Sequence, residues 1–220
     1  MASVTLKIAC TTIAAAMLTI ASLPSMAAQQ STDPLDDLFA RGRAAQASAK
    51  TLTAAFSDTS VSRLLRDPLV ATGTLVATMP LRVVMNYTTP TVKTVALDDK
   101  HMVIAWPSGR NREDLDISDI QRRVQKYFTD ASPKQLRELF TITLSSGAKD
   151  NLYTLEMAPR RKPIAEGVDR LRIWIDRDRL LMQKMTLDFP GGDSKTLELH
   201  DVRTNVPVDE GAFAILAGKK

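Results

Sequence analysis

The chain has 220 residues, with 29 Lys and Arg against 25 Asp and Glu, a net charge of +4 and a pI near 9.3. The basic residues are scattered among acids and aromatics make up 5% of the chain, too few for a base-stacking platform, so a nucleic-acid partner is not expected. The single cysteine, Cys10, lies near the start, which leaves no disulfide frame, thiol nucleophile or thiolate metal site in the rest.

Lys7 precedes an uncharged run, IACTTIAAAMLTIASL, that ends at Pro24 and a small-residue SMA. This is the layout of a secretory signal peptide, residues 1–27, with cleavage after Ala27; an uncleaved anchor is the alternative reading of the same run. Cleavage removes Cys10 and leaves residues 28–220 as a single domain, expected to be soluble, periplasmic and monomeric.

Residues 33–48 open with Asp33 as an N-cap and Pro34 at the first helical position. Leu35, Leu38 and Phe39 then follow at helical spacing, predicting a short amphipathic helix. From Thr51 the pattern alternates, with Leu52, Ala54 and Phe56 on one face. GTLVATM (73–79), LRVVMNY (81–87), VKTVAL (92–97) and HMVIAW (101–106) read as strands joined by short turns in an antiparallel meander. Pro80 and Pro90 sit at segment ends, where a missing N–H does not interrupt a ladder.

Between about 114 and 140 the period becomes helical. Ile117, Ile120, Val124 and Phe128 share one side of a first helix, and a second, started by Ser132 and Pro133, places Leu136, Leu139 and Phe140 together. Strands resume with FTITLSS, NLYTLEMA, DRLRIWID, RLLMQKMTLDF and SKTLELHDV, linked by the turns IDRDRL and FPGGDS and by an exposed loop, APRRKPIAEGV. About ten to eleven strands with few helices predict a strongly curved antiparallel sheet or barrel, on whose concave side the helices bury their apolar faces.

Several spacings extend this reading. Gly73 and Leu75 form a G-x-L followed by Pro80, with Tyr87 seven residues further and Pro90 ten residues further. TLTAAFSDT precedes them, an aspartate-centred turn lies at Asp98, and NVPVDEGAFAI closes the chain with Phe213. In order and spacing, from about residue 35 to 216, the chain resembles the periplasmic outer-membrane lipoprotein carrier family, LolA-like. The resemblance implies an unclosed antiparallel β-barrel with a helical lid over an apolar cavity, and NVPVDEGAFAI as its closing strand. The implied role is a carrier that takes acyl chains of a lipoprotein or other lipid from an inner-membrane exporter to an outer-membrane acceptor. Two positions depart from the family pattern. Met79 stands where the resemblance implies an arginine that latches the lid, and Asp58 replaces the glutamine of an F-x-Q. The first favours a second reading, a lipid-binding accessory or sensor domain of an envelope lipid transporter whose cargo is not a lipoprotein.

By strand parity Leu75, Val83, Met85, Tyr87, Val95, Leu97, Met102, Ile104 and Trp106 are the candidate lipid-binding face. A packed protein core has the same pattern. With a lid holding the barrel open, these residues would line a cavity, and methionine suits disordered alkyl chains. Leu35, Leu38, Phe39, Leu136, Leu139 and Phe140 are the candidate lid residues, and ordinary helix-on-sheet packing would look the same. Arg160, Arg161 and Lys162 read either as a solvated loop or as a docking patch for an acidic partner or anionic headgroups.

Catalytic and metal chemistry find no comparable pattern. His101 and His200 are the only histidines and lack partners at ligand spacing, no G-x-S-x-G is present, Asp176 and Asp178 flank a hairpin tip, and FPGGDS lacks the lysine of a phosphate loop. A hydrolase using one of the acidic residues is the remaining alternative, without a nucleophile and base that can be named. No cofactor and no metal are expected.

Overall fold

A computed structural model describes residues 33–79, 81–107, 111–125, 131–147 and 150–217. The expected signal peptide, Pro80 and Phe128 lie outside the described residues. Helix α1, Pro34–Ser48, starts as the sequence predicts: Asp33 Oδ1 accepts from the Leu35 N–H at 2.9 Å, Asp36 and Asp37 occupy the first turn, and Leu35 and Leu38 are buried.

Six strands follow in a meander: β1 Thr51–Val61, β2 Leu69–Thr78, β3 Arg82–Thr89, β4 Lys93–Leu97, β5 His101–Ala105 and β6 Arg112–Asp116. Helices α2, Ser118–Val124, and α3, Pro133–Leu139, then lead to a second meander of β7 Phe140–Ser146, β8 Leu152–Pro159, β9 Arg170–Asp176, β10 Met182–Asp188 and β11 Ser194–Thr204. A one-turn helix, α4 Lys162–Ala165, lies in the β8–β9 connection, and a 3₁₀ helix, Glu210–Leu216, ends the fold.

All of these strands form one 11-stranded sheet in the order β6-β5-β4-β3-β2-β1-β11-β10-β9-β8-β7. Every neighbour pairs antiparallel, and the two meanders join where β1 pairs with β11, from Leu52 opposite Thr204 to Val61 opposite Ser194. Strands β6 and β7 are the two edges. The sheet is therefore the unclosed antiparallel architecture expected from the strand count and the resemblance.

Four local expectations differ from what forms. Strand β6, REDLD, continues the meander where a helical period was read; Leu115 is its one large apolar residue, and charges are what an edge strand carries to discourage further pairing. Phe140 caps α3 in extended conformation and begins β7, so it belongs to the sheet rather than to a helix. APRRKPIAEGV is a loop interrupted by α4, with Pro163 near the start of the helix. The implied closing strand is instead a 3₁₀ helix, capped at its start by Asp209, whose Oδ1 accepts from the Gly211 N–H at 2.9 Å.

That 3₁₀ helix lies on the convex side. Phe213 packs with Val84 and Ala96, and the Arg82 guanidinium sits 4.5 Å from the Phe213 ring while bonding Glu210 at 2.8 and 3.1 Å. Arg82 thereby holds the Glu210 carboxyl below the usual carboxylate range. Strands β3–β5 are consequently buried on both faces, and their sequences read as near-continuous apolar runs.

Gly73 carries a close approach. A Cβ there would lie 2.0 Å from the Asn86 carbonyl oxygen and 2.8 Å from Phe56 Cζ, at a register shift between β2 and β3. The missing side chain lets the Phe56 and Tyr87 rings meet edge to face, with centroids 4.9 Å apart. Gly73→Ala is expected to lower stability by about 3 kcal/mol, the upper end of the overpacking range because the obstacle is backbone. Urea unfolding measures it, and a wild-type midpoint would refute this account of the glycine.

Candidate apolar binding face

The inward positions of β1–β5 fall into rows across the sheet. One row is Ala54, Leu75, Met85, Val95 and Ile104, each opposite the next; another is Leu52, Ala77, Val83, Leu97 and Met102. Eight of the nine candidate residues (Leu75, Val83, Met85, Tyr87, Val95, Leu97, Met102 and Ile104) are buried together in one cluster, and Trp106 packs half-buried against it. Parity was enough to assemble them, since a strand places alternate residues on one face.

The row structure continues into the other half. Leu155, Ile173, Met185 and Leu197 stand opposite one another across β8, β9, β10 and β11. Met182 touches both clusters, so one apolar face runs through both meanders.

Candidate lid residues meet this face on its β7–β10 side. Leu35, Leu136 and Phe140 are buried in the second cluster, with Phe39 and Leu139 half-buried against it. Leu38 is buried on the same helix as Leu35. Ile117, just before α2, is fully buried in the β1–β5 cluster. The helices thus divide the face between them.

Ion pairs tie the helices down. Arg137 of α3 reaches Asp33 at 2.6 Å and Asp36 at 3.1 Å on α1, while Arg41 donates to the Tyr153 hydroxyl on β8 at 3.0 Å. Tyr153 also faces Arg177, and the two guanidiniums hold its phenol below the usual range. A cleft of about 300 Å³ opens between α1 and α3, lined by Phe39, Ala40 and Pro133 together with charged Asp36, Arg43, Lys134 and Arg137. Met79, at the position of the implied latch arginine, is half-buried, and its N–H donates to the Lys50 carbonyl at 3.0 Å.

A buried charge also sits on the apolar face, at Asp58, which the sequence marked only as a departure at the F-x-Q position, without its partner. Asp58 is 4% exposed; its Oδ2 accepts from the Tyr87 hydroxyl at 2.9 Å and pairs with Lys195 Nζ at 3.0 Å. Its Oδ1 is buried without a hydrogen-bond partner among the described residues. Parity carried the signal: Asp58 follows Ala54 and Phe56 on the inward face, and Lys195 precedes Leu197 and Leu199 on theirs. Ser60 stands opposite Lys195 and Asp58 opposite Leu197, which makes the ion pair a diagonal cross-strand contact over the β1–β11 seam.

No group of three or more His, Cys, Asp and Glu able to hold a metal ion occurs among the described residues. Within the same residues no helix is long and apolar enough to cross a membrane.

An open antiparallel half-barrel with helices across an apolar face defines a small class of folds, and comparison places the chain within it. Residues 47–216 match the family of the outer membrane lipoprotein carrier protein LolA, and the chain belongs to that family. Among solved structures it is similar to the Mycobacterium tuberculosis lipoprotein LppX, with TM-score 0.52 and 12% identity over 81% of this chain and 100% of that one. An uncharacterized conserved protein from Thermus thermophilus gives 0.51, with 7% identity over 83% of this chain and 93% of that one. MucB gives 0.50, with 16% identity over 80% of this chain and 61% of that one. At these identities the likeness is one of fold. No curated protein sequence matches the chain.

Removing the Lys195 ammonium leaves the Asp58 charge buried and unpaired. Lys195→Met is expected to cost about 3 kcal/mol, whereas Asp58→Leu with Lys195→Met together should return near to wild-type stability. Urea unfolding of the two variants checks the order, and a double variant weaker than the single one would contradict it.

Asp33 predicts a pH response. The Leu35 N–H, and after it the Arg137 charge, hold its carboxyl below the ordinary aspartate value. A depressed value stabilises above the unfolded pKa, about 3.9, and is lost as pH falls through the folded one. Hydrogen exchange in α1 should therefore be flat from pH 8 to 5, after correction for the intrinsic rate, and accelerate only below about pH 4.

Proposed function

We propose that the protein is a carrier of the bacterial envelope that shields acyl chains of a lipoprotein or another lipid against its apolar concave face. The carrying observation is the continuity of that face, row upon row of Leu, Val, Ile and Met from β5 to β8, with the buried Asp58–Lys195 pair set into it. Membership of the lipoprotein carrier family supports the same reading.

In the arrangement described the face is buried, so cargo gains access when the covering segments move aside. Alkyl chains need area rather than hydrogen bonds, and each CH₂ taken from water contributes about 0.8 kcal/mol. Replacing protein-to-protein apolar contacts by protein-to-lipid contacts is then nearly even, and transfer follows the better-fitting site downstream. The carrier would act in the periplasm after loss of residues 1–27, take its load from an inner-membrane exporter and yield it to an outer-membrane acceptor. No catalytic step is required.

A second reading keeps lipid binding but not lipoprotein transport: an accessory or sensor domain of an envelope lipid transporter. Met79 at the latch position favours it, because α1 and α3 are held by Arg137 and its two aspartates instead.

Native mass spectrometry of the purified protein should show a co-purified lipid, whose mass distinguishes a lipoprotein from a free lipid. Met85→Glu should expel it by placing a charge in the apolar face, while Met85→Leu should retain it. A folded Met85→Glu variant with unchanged lipid content would overturn the assignment of this face.

A further inference from the structure

Large apolar side chains that remain exposed among the described residues gather at one end of the sheet. Val61, Leu64, Leu65, Leu69 and Val70 occupy β1–β2 and its connection, and Val92 lies in the β3–β4 connection. Leu64 is 93% exposed. Single exposed leucines need no explanation, but a contiguous group marks a contact surface.

The β1–β2 connection is a built turn. Leu65 N–H donates to the Ser62 carbonyl at 3.0 Å, and Leu64 N–H to the Ser62 hydroxyl at 3.3 Å. Ser62 Oγ and Arg63 N–H bond the two carboxylate oxygens of Asp193, in the β10–β11 turn, at 3.1 and 3.0 Å. These bonds hold Leu64 at the apex, facing water, when the chain could have folded it back.

Charge accompanies the apolar tip. Arg63 and Arg66 are exposed in the turn itself, where Asp67 is the acidic neighbour. Because adjacent strands alternate in direction, the β8–β9 connection emerges from the same end. There Arg160, Arg161 and Lys162 are all exposed.

We propose that this end of the sheet docks on an anionic phospholipid surface. Leu64 and Leu65 enter the boundary of the acyl region, and Arg63 and Arg66, with the Arg160–Lys162 group, lie against the headgroup phosphates. An exposed apolar tip with Arg63 and Arg66 in the same turn, and the Arg160–Lys162 group among Glu166 and Asp169 on a connection at the same end, matches such an interface, where apolar burial and attraction to anionic lipid act together. The inference does not rest on the carrier reading, since the tip lies outside the concave face.

Flotation of the purified protein with vesicles of phosphatidylglycerol and phosphatidylcholine tests it, against phosphatidylcholine alone. Wild type should float with the anionic vesicles and lose at least about tenfold in affinity as Leu64→Asp with Leu65→Asp, and severalfold as Arg63→Glu with Arg66→Glu or in high salt. These residues are exposed, so urea midpoints should stay at the wild-type value. Phosphatidylcholine vesicles alone should float little wild type; flotation as strong with them as with the anionic vesicles would overturn the proposal. So would equal flotation of wild type and the Leu64, Leu65 variant, or no flotation by either, which would instead point to a protein partner for the tip.

Discussion

Pairing of the first strand with the last is the constraint on which the rest of the structure depends. Strands β2–β6 and β7–β10 are local meanders that hairpins alone could form, but neither has an inward face wide enough to be of use. The β1–β11 ladder joins them edge to edge, and because its register is in phase, Leu197 and Leu199 on β11 fall on the same side as Ala54 and Phe56 on β1. A slip of one residue would send one half's apolar rows to the convex side. The pairing also brings together segments far apart in the chain, which places it among the slowest contacts to form.

The same seam holds a buried ion pair set within the apolar face. Asp58 on β1 and Lys195 on β11 can meet only when the ladder is in register, and the Tyr87 hydroxyl ties them to β3 through the space that Gly73 leaves open. A buried pair of this kind adds little net stability over well-packed apolar residues, but it penalises every alternative register in which a charge stays buried alone. Asp58 stands where the resemblance implies a glutamine, and its carboxylate has a lysine facing it.

Much of this was legible in the sequence because strand parity is a strict rule. Leu75, Met85, Val95 and Ile104 were assignable to one face from alternation alone, and α1 and α3 from Asp33–Pro34 and Ser132–Pro133, whose capping bonds form as read. What stayed hidden depended on tertiary contact. Strand β6 is polar because it is an edge, so its alternation of Glu113 and Leu115 with charged neighbours carries no apolar signal. The C-terminal segment has a core aromatic, Phe213, but nothing in GAFAIL tells a strand from a 3₁₀ turn docked on Val84 and Ala96. Asp58 was marked only as a replaced glutamine, and its partner Lys195 lies 137 residues away in the chain, so the pair shows only once the seam brings them together.

The two halves of the face are not equally fixed. Strands β3–β5 are packed on both sides, by the inward cluster and by Phe213 behind them, so a displacement there would disturb two sets of contacts at once. Over β7–β10 the cover is α1 and α3, which bury Leu35, Leu38 and Leu136 and are joined by Arg137 to Asp33 and Asp36. Each of those charged groups is more than a third exposed, and pairs in that setting contribute about 0 to 1 kcal/mol. The helices are therefore held by a handful of apolar side chains, the Arg41–Tyr153 hydrogen bond and exposed ion pairs. For the proposed carrier, opening would be cheapest on the α1 and α3 side, where the apolar contacts given up are of the same kind that an incoming alkyl chain would restore.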